Sequence, residues 1–187
     1  TAYQYDAAGN VTKITNPDGY SLGFDYNAAN HIVRSYDQEG NAVIRELDPE
    51  GKPRKQVDPN GNSVRYEYYG KEKNGWLKKS YDALGRATSF DYDNNGNVIT
   101  VTDAAGRTTQ TQYDELNRAV RIVGPQYTDG KYGAARPVTR YTYNLQGFLT
   151  KVEAGRTTDP LDKAKDVVTT QQINLYDDFG RKLKETD

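Results

Sequence analysis

The sequence predicts an all-β protein, a curved antiparallel β-sheet of repeated hairpins. A motif that begins with Tyr-Asp recurs about every 21 residues. Between these motifs, apolar and polar residues alternate with the two-residue period of a half-buried strand. Tyrosine is also frequent, at 16 of 187 residues, whereas disordered chains of low hydropathy are poor in aromatic residues. We therefore expect a packed fold.

Composition excludes several classes of protein. The chain has no cysteine and a single histidine, His31, so cysteine nucleophiles, thiolate zinc sites and histidine-based triads are ruled out. Lysine and arginine number 25 against 26 acidic residues, without the basic excess typical of nucleic-acid binding. No apolar stretch approaches the roughly 20 residues of a membrane helix. We expect no cofactor, no metal, no catalytic activity, no nucleic-acid partner and no membrane span.

The recurring motif is a turn between two strands. Tyr or Leu ends a strand, Asp or Asn opens the turn, and Gly or Asn closes it three residues later; we call these the principal turns. Steps of 21 residues separate Tyr5, Tyr26 and Leu47, and later steps lengthen to 30 and 33 residues. The residues predicted to form this repeated framework are Tyr5, Asp6, Gly9, Tyr26, Asp48, Gly51, Tyr81, Asp82, Gly85, Arg86, Tyr92, Asp93, Gly96, Tyr113, Asp114, Tyr143, Gly147, Tyr176, Asp177, Gly180 and Arg181.

A second set, the alternate turns, lies midway between the principal turns. Aspartate suits the first turn position because its carboxylate accepts hydrogen bonds from later backbone N–H groups, and glycine suits the fourth because φ is positive there. We predict one array over residues 1–187, with about eight repeats of two strands each and insertions near 70–75, 124–137 and 154–170. The alternate turns are Asp18-Gly19, Asp37 to Gly40, Asp58 to Gly61, Asp82 to Gly85 and Asp103 to Gly106.

The strands before the principal turns show the clearest alternation. Leu22, Phe24 and Tyr26 have one parity and Gly23 and Asp25 have the other, as in a half-buried antiparallel strand. Neighbouring repeats are expected to place their tyrosines side by side in a cross-strand ladder, at about 0.2–1 kcal/mol per pair. We expect this ladder to be the core, and helix only as a short turn around residues 161–165.

The repeated Tyr-Asp-x-x-Gly-[Arg/Asn] pattern resembles the YD repeat of the RHS (rearrangement hot spot) proteins. The best copies run from Tyr81 to Arg86 and from Tyr176 to Arg181, and the resemblance covers essentially the whole chain. It implies a segment of a spiralling β-sheet that closes into a hollow shell, as in polymorphic toxins, insecticidal toxin complexes and effectors of the type VI secretion system. Such a shell encloses a C-terminal toxin domain until delivery.

The resemblance also implies partners and a location. The partners are the rest of the parent RHS chain and its enclosed toxin domain, and the location is secreted or at the bacterial cell surface, with the export signal outside this chain. Members of the family end in an autoproteolytic core with an Asp-Pro-x-Gly motif. Asp48 to Gly51 and Asp58 to Gly61 match that motif but lack the surrounding core, so we interpret them as turns. The terminal strands are expected to pair with another copy.

Other segments suggest binding. Trp76, in the insertion after Tyr68, is the best candidate platform for stacking on a sugar, so a carbohydrate-binding surface on an extracellular protein is the alternative function. Residues 91–96 copy the start of an EF-hand loop, but Thr102 replaces its final glutamate, so we predict a repeat turn rather than a calcium site.

The two longer insertions are interpreted as extended hairpins or rim loops. The second of them carries five charged residues within eight positions. We interpret this cluster as an ordinary solvated charged run. Its members are Asp159, Asp162, Lys163, Lys165 and Asp166.

Overall fold

The computed structural model describes residues 1–131, 133–177 and 179–186, with the side chain of Asp129 also outside the description. This part of the chain contains 17 β-strands and two short 3-10 helices, and every strand pair within it is antiparallel, so the predicted fold class is confirmed. The chain divides into two compact units, Thr1–Ala87 and Thr88–Asp187. No helix of the described residues is both long and apolar enough to cross a lipid bilayer.

The first unit is a meander in which each strand pairs with the next. A 3-10 helix, Lys71–Lys73, follows β7. The strands are β1 (Ala2–Tyr5), β2 (Val11–Thr15), β3 (Ser21–Tyr26), β4 (Ile32–Asp37), β5 (Ala42–Leu47), β6 (Pro53–Val57), β7 (Ser63–Tyr68) and β8 (Leu77–Tyr81).

The second unit continues the meander pattern with longer hairpins. Its strand β12 pairs with β14, while the short β13 pairs with the beginning of β14, and the second 3-10 helix, Lys163–Lys165, lies between β15 and β16. The strands are β9 (Ala87–Tyr92), β10 (Val98–Thr102), β11 (Thr108–Tyr113), β12 (Ala119–Val123), β13 (Tyr127–Asp129), β14 (Gly133–Tyr143), β15 (Leu149–Thr157), β16 (Asp166–Tyr176) and β17 (Lys182–Thr186).

A β-bulge precedes every principal turn of the first unit. The register shifts by one residue between Gln4 and Tyr5, and again just before Tyr26, Leu47 and Tyr68. The pairs joined by the alternate turns in this unit keep a regular register. Because a bulge increases the local twist and redirects one side chain, the two edges of this meander differ in structure.

The prediction that a ladder of tyrosines forms the core is wrong, because the buried apolar residues are not tyrosines. Among the described residues, Val123, Ala135 and Val138 are the buried apolar residues, each at most 2% exposed. They lie on β12 and β14, where Val123 faces Val138 across the pair. The tyrosines that end strands are half-buried or exposed, because a single sheet layer leaves both of its faces accessible.

The prediction that the charged residues between β15 and β16 form an ordinary solvated run is also wrong, because the side chain of one of these aspartates is buried. The Asp166 side chain is fully buried and pairs with Arg121, which is 1% exposed. Arg121 donates from Nε and Nη2 to the two Asp166 carboxylate oxygens at 2.9 and 2.6 Å, and from Nη1 to the Pro160 carbonyl at 2.6 Å. This insertion therefore packs against β12 through Arg121, which lies 45 residues before Asp166 in the chain.

Candidate functional site

The principal and alternate turns share one hydrogen-bond pattern. At Asp6, carboxylate Oδ1 accepts from the backbone N–H groups of Ala8 and Asn10 at 2.9 and 2.8 Å, and the Asp6 carbonyl accepts from Gly9 N–H at 3.1 Å. A positive φ at the fourth residue, 86° at Gly9, allows the chain to reverse. In the first alternate turn the opening residue is Asn16 rather than Asp18, and its side-chain oxygen takes the same role.

The residue after the turn glycine completes this pattern, a role that the sequence reasoning missed. Where this fifth position is asparagine, its amide donates to the second carboxylate oxygen, as Asn10 does to Asp6 at 2.9 Å. Where it is arginine, Nε donates instead, as Arg86 does to Asp82 at 2.7 Å. The same bonds recur from Asn41, Asn62, Asn97, Arg107, Arg118 and Arg181. Arginine and asparagine thus occur at the fifth position for the same reason, since both donate a side-chain N–H to the second carboxylate oxygen of the turn aspartate.

Hydrogen bonds to the charged form lower the pKa of the turn carboxylates. At Asp6 the side-chain bond from Asn10 contributes most, and at Asp82 the backbone N–H of Arg86 contributes most. The aspartates whose pKa is lowered are Asp6, Asp37, Asp58, Asp82, Asp93, Asp103, Asp114 and Asp177.

These shifts predict acid sensitivity. A folded-state pKa below the unfolded value means that the folded chain binds fewer protons, so the stabilisation is complete above the unfolded value near 3.9 and is lost as pH falls through the lower folded values. The urea midpoint should be level from about pH 7 to pH 5 and fall below about pH 4. Asp103→Asn keeps an acceptor oxygen, as Asn16 does, and should reduce this fall. A midpoint unchanged at about pH 3 would contradict the prediction.

Five of the tyrosines that end bulged strands bond through their hydroxyl to the neighbouring strand. Tyr26 donates its hydroxyl to the Val11 carbonyl and Tyr68 donates to the Pro53 carbonyl, both at 2.8 Å. In each case the acceptor is the first residue of the preceding strand. In the second unit the corresponding bonds run from Tyr113 to Val98, from Tyr143 to Ala119 and from Tyr176 to Leu149. A phenylalanine or leucine could not make this bond, which explains the preference for tyrosine.

Tyr68→Phe should lower the free energy of unfolding by about 0.5–1.5 kcal/mol, because it leaves the Pro53 carbonyl without its partner. Burial raises the pKa of the Tyr68 hydroxyl, consistent with a desolvated donor. Tyr66→Phe, on the same strand, is the matched control, since its hydroxyl bonds to no other described residue. Urea denaturation followed by circular dichroism measures the free energy of unfolding of both variants. Equal losses of this free energy would show that the hydrogen bond from Tyr68 to Pro53 contributes nothing.

Successive principal turns of the first unit are joined by the fifth-position side chains. The Asn10 amide donates to Asn30 Oδ1 of the next turn at 3.0 Å. The His31 ring lies against the next turn glycine, where a Cβ added at Gly51 would come within 2.6 Å of it. Lys52 in turn donates to the Gly75 carbonyl at 2.8 Å and lies 5.4 Å from the centre of the Tyr68 ring.

The second unit has the same three-link arrangement. Asn97 donates to Asn117 Oδ1 at 2.7 Å. The Arg118 guanidinium lies over the Tyr143 ring, 4.6 Å from its centre, and beside Gly147. The next link is Phe148, whose ring stacks on Tyr176 with centres 5.0 Å apart and occupies the space that a Gly180 side chain would need.

We call these contacts the turn links. Each connects the side chain of the residue that follows one principal turn to the positive-φ residue that closes the next, and in three cases also to the tyrosine before that next turn. At Tyr68, Tyr143 and Tyr176 the ring thus contacts a side chain that follows the preceding principal turn. Stability in such arrays is a sum of nearest-neighbour terms, and the turn links supply one of those terms within each unit.

The other predicted framework residues take different places. Tyr81 ends β8 at an alternate turn, where its hydroxyl donates to Glu67 at 2.6 Å and Arg65 lies over its ring. Tyr5, on the first strand, is 61% exposed. Tyr92 ends β9, immediately before the turn opened by Asp93 and closed by Gly96. Within the motif that starts at Tyr176, Asp178 lies outside the described residues.

A groove of about 760 Å³ lies beside the candidate sugar platform in the first unit. Tyr66, Tyr68 and Tyr69 line it together with acidic and basic side chains. Trp76 is half-buried and is not among the described residues that line this groove, while lysines lie over the ring of Tyr69. Carbohydrate binding at Trp76 stays a prediction.

The segment that copies an EF-hand loop is a repeat turn. Asp93 accepts hydrogen bonds at Oδ1 from the backbone of Asn95 and Asn97, and at Oδ2 from the Asn97 side chain. Both carboxylate oxygens are thus occupied by turn donors. In the part of the chain that the structure describes, no group of three or more His, Cys, Asp or Glu residues could hold a metal ion.

Hairpins of one kind, repeated with the same turn chemistry and linked along one edge, define a structural repeat protein. The chain belongs to the RHS repeat family, whose model matches residues 5–43, 73–108 and 92–129. The predicted membership is confirmed, and this segment is the repeat portion of such a protein.

Relatives and solved structures extend the match along the chain. Double-stranded DNA deaminase toxin A of Burkholderia cenocepacia strain H111 is 29% identical over 207 residues, covering 98% of this chain and 14% of that protein. The crystal structure of TcdB2-TccC3-Cdc42 matches with a TM-score of 0.68 at 16% identity, over 94% of this chain and 10% of that one. The Tc holotoxin pore of Photorhabdus luminescens gives a TM-score of 0.67 at 16% identity, over 93% and 9%. The structural matches show a shared fold, and the chain spans about a seventh or less of the proteins it resembles.

Proposed function

We propose that this chain is one stretch of the wall of a hollow toxin shell. The shell encloses a toxin domain carried elsewhere on the parent chain, and a secretion system such as the type VI system delivers it. The turn links carry this proposal: they join each hairpin only to its neighbours, so a sheet of this kind grows by adding repeats. Its place is outside the cytoplasm, in a secreted toxin.

The surface chemistry suits a container. Tyrosine, threonine, asparagine and glutamine are frequent along the strands. Large contiguous apolar patches mark binding sites, so a lining in which polar side chains are interspersed with apolar ones would hold an unfolded or partly folded polypeptide without binding it tightly. The solved relatives named above as Tc toxin assemblies share the fold, which favours the same use here.

We further propose that this stretch carries no catalytic residue. The aspartates that open its turns are equivalent to one another and engaged in turn hydrogen bonds, whereas a catalytic site needs a distinctive group placed once. The relative whose name gives an activity is a deaminase toxin, and this chain corresponds to 14% of it. Any toxin activity of the parent belongs to another part of that protein.

Limited proteolysis of the full-length parent tests the shell. The toxin segment should resist digestion in the intact parent and be digested rapidly when expressed alone. Opening the wall with Gly155→Ala, a substitution that clashes with the next strand, should expose the segment in the parent, whereas Gly130→Ala should not. If the toxin segment is digested equally fast alone and within the parent, the proposal is wrong.

A further inference from the structure

The groove of the first unit lies across three neighbouring strands. Arg54 on β6, Tyr66 on β7 and Lys78 on β8 all line it. The strand registers place these three side chains beside one another on one face of the sheet, where they span roughly 10 Å because neighbouring strands lie about 4.8 Å apart. A volume of about 760 Å³ is in the range of clefts that hold ligands.

Several hydrogen-bond donors of the groove are not used within the protein. The guanidinium of Arg54, the ammonium of Lys71 and the hydroxyl of Tyr66 form no hydrogen bond or ion pair with another described residue. Lys78 lies 5.6 Å from the centre of the Tyr69 ring, a cation–π contact that leaves its N–H donors available. The groove therefore presents positive charge and N–H and O–H donors to solvent.

The acidic side chains around the groove offset little of this charge. Glu67 accepts a hydrogen bond from the Tyr81 hydroxyl at 2.6 Å, on the opposite face of the sheet from the groove. Asp48 accepts the backbone N–H of Lys52 at 2.8 Å as part of its turn. Glu50 lies at the exposed tip of that turn. Positive charge thus dominates among the groups that are not already bonded, which favours an anionic ligand.

We propose that this groove binds the carboxylate side chains of an acidic, extended polypeptide segment. Arg54 bonds to one carboxylate through two parallel N–H groups, and the Tyr66 hydroxyl donates to the same carboxylate. Lys71 and Lys78 bind the next carboxylate. In an extended chain every second side chain lies on the same side, about 7 Å apart, a spacing within the roughly 10 Å that the groove side chains cover.

Charge complementarity requires an acidic occupant, and the container proposed above makes it a polypeptide. The segment belongs to the polypeptide that the shell encloses, so this inference rests on the proposed function. Exposed charge pairs of this kind are individually weak. Binding should therefore be modest in affinity and readily reversible, as release of an enclosed polypeptide requires.

Fluorescence anisotropy of this chain with a labelled decapeptide of alternating glutamate and serine tests the groove. A second decapeptide, in which glutamine replaces every glutamate, has the same length without the charge. The glutamate peptide should bind at least about ten-fold more tightly, and its affinity should fall several-fold between about 50 and 200 mM salt because exposed charges are screened. Equal binding of the two peptides, or binding of neither, would overturn the proposal.

Substitutions locate the binding to the groove. Arg54→Gln should weaken binding of the glutamate peptide by roughly ten-fold. Arg65→Gln is the matched control, because Arg65 lies on the opposite face of the sheet, over the ring of Tyr81, and this variant should bind the peptide as the unmodified chain does. Circular dichroism checks that both variants keep the fold. Equal weakening by the two substitutions would show general attraction between charges and would refute the groove.

A carbohydrate probe separates the polypeptide from an acidic glycan. An oligomer of galacturonic acid presents carboxylates on a sugar chain. If this oligomer binds the groove and the glutamate peptide does not, the polypeptide proposal is wrong. Proteolysis of the unmodified parent tests the shell without involving the groove. A toxin segment that stays protected there, while this chain binds no glutamate peptide, would refute this inference alone and leave the shell intact.

Discussion

Arg121→Ala should lower the free energy of unfolding by about 3–5 kcal/mol, because it removes one partner of a buried ion pair and leaves the Asp166 carboxylate without compensation. Arg121 also donates to the carbonyl of Pro160, so the variant leaves a backbone acceptor unpaired as well. The insertion between β15 and β16 should detach from β12 and become a site of early proteolysis. Urea denaturation followed by circular dichroism measures the loss.

Two further variants distinguish the cost of leaving a buried charge unpaired from a general effect of losing an arginine on the free energy of unfolding. Arg107 bonds to Asp103 at 2.7 Å, but its side chain is 67% exposed, so Arg107→Ala should cost less than about 1 kcal/mol. Replacing both Arg121 and Asp166 with leucine removes the pair together and should recover much of the stability, since apolar residues of similar volume can substitute for a buried ion pair. Equal losses for Arg121→Ala and Arg107→Ala would contradict this account.

Gly155→Ala should be the most disruptive of the single-methyl substitutions. A Cβ at this position would lie 2.0 Å from the Val167 carbonyl oxygen and 2.8 Å from the Val168 Cα. Both obstacles are backbone atoms of β16, so no side chain can rotate aside and the two strands must separate. Overpacking of this kind costs about 1–3 kcal/mol, and we expect the upper end of that range.

Gly130→Ala is the control for Gly155→Ala. A Cβ at Gly130 would meet nothing within 4 Å, and its φ does not require glycine. The same change should therefore alter stability by no more than about 0.5 kcal/mol. Thermal and urea unfolding of the two variants are compared under one set of conditions. Should Gly155→Ala prove as stable as Gly130→Ala, the close approach of β15 and β16 would be refuted.

The sequence could predict the hairpins because each turn is encoded locally. Asp6 and Gly9 lie three residues apart, and the Asp6 carbonyl accepts a hydrogen bond from the Gly9 N–H. The motif therefore predicts the turn without knowledge of distant residues. The repeated motif also indicates the preference for tyrosine, but it does not indicate the cause of that preference. The hydroxyl of Tyr68 bonds to a carbonyl 15 residues earlier, and only the strand register reveals that acceptor.

Long-range pairing limited the rest of the prediction. Arg121 and Asp166 are 45 residues apart, and nothing near either residue distinguishes them from the exposed charges around them. Burial of the Asp166 carboxylate depends on how the insertion folds back, which the local pattern does not encode. The turn links were missed for a similar reason, because Asn10, His31 and Lys52 have no common chemistry and share only their position after a turn.

The turn links have a mechanical consequence. Each one, such as that from Lys52 to Gly75, bridges adjacent hairpins and no others, so a pulling force applied at one end of a unit loads the links one after another. Unravelling under tension should release one hairpin at a time. A polypeptide built in this way yields gradually and keeps its remaining hairpins intact.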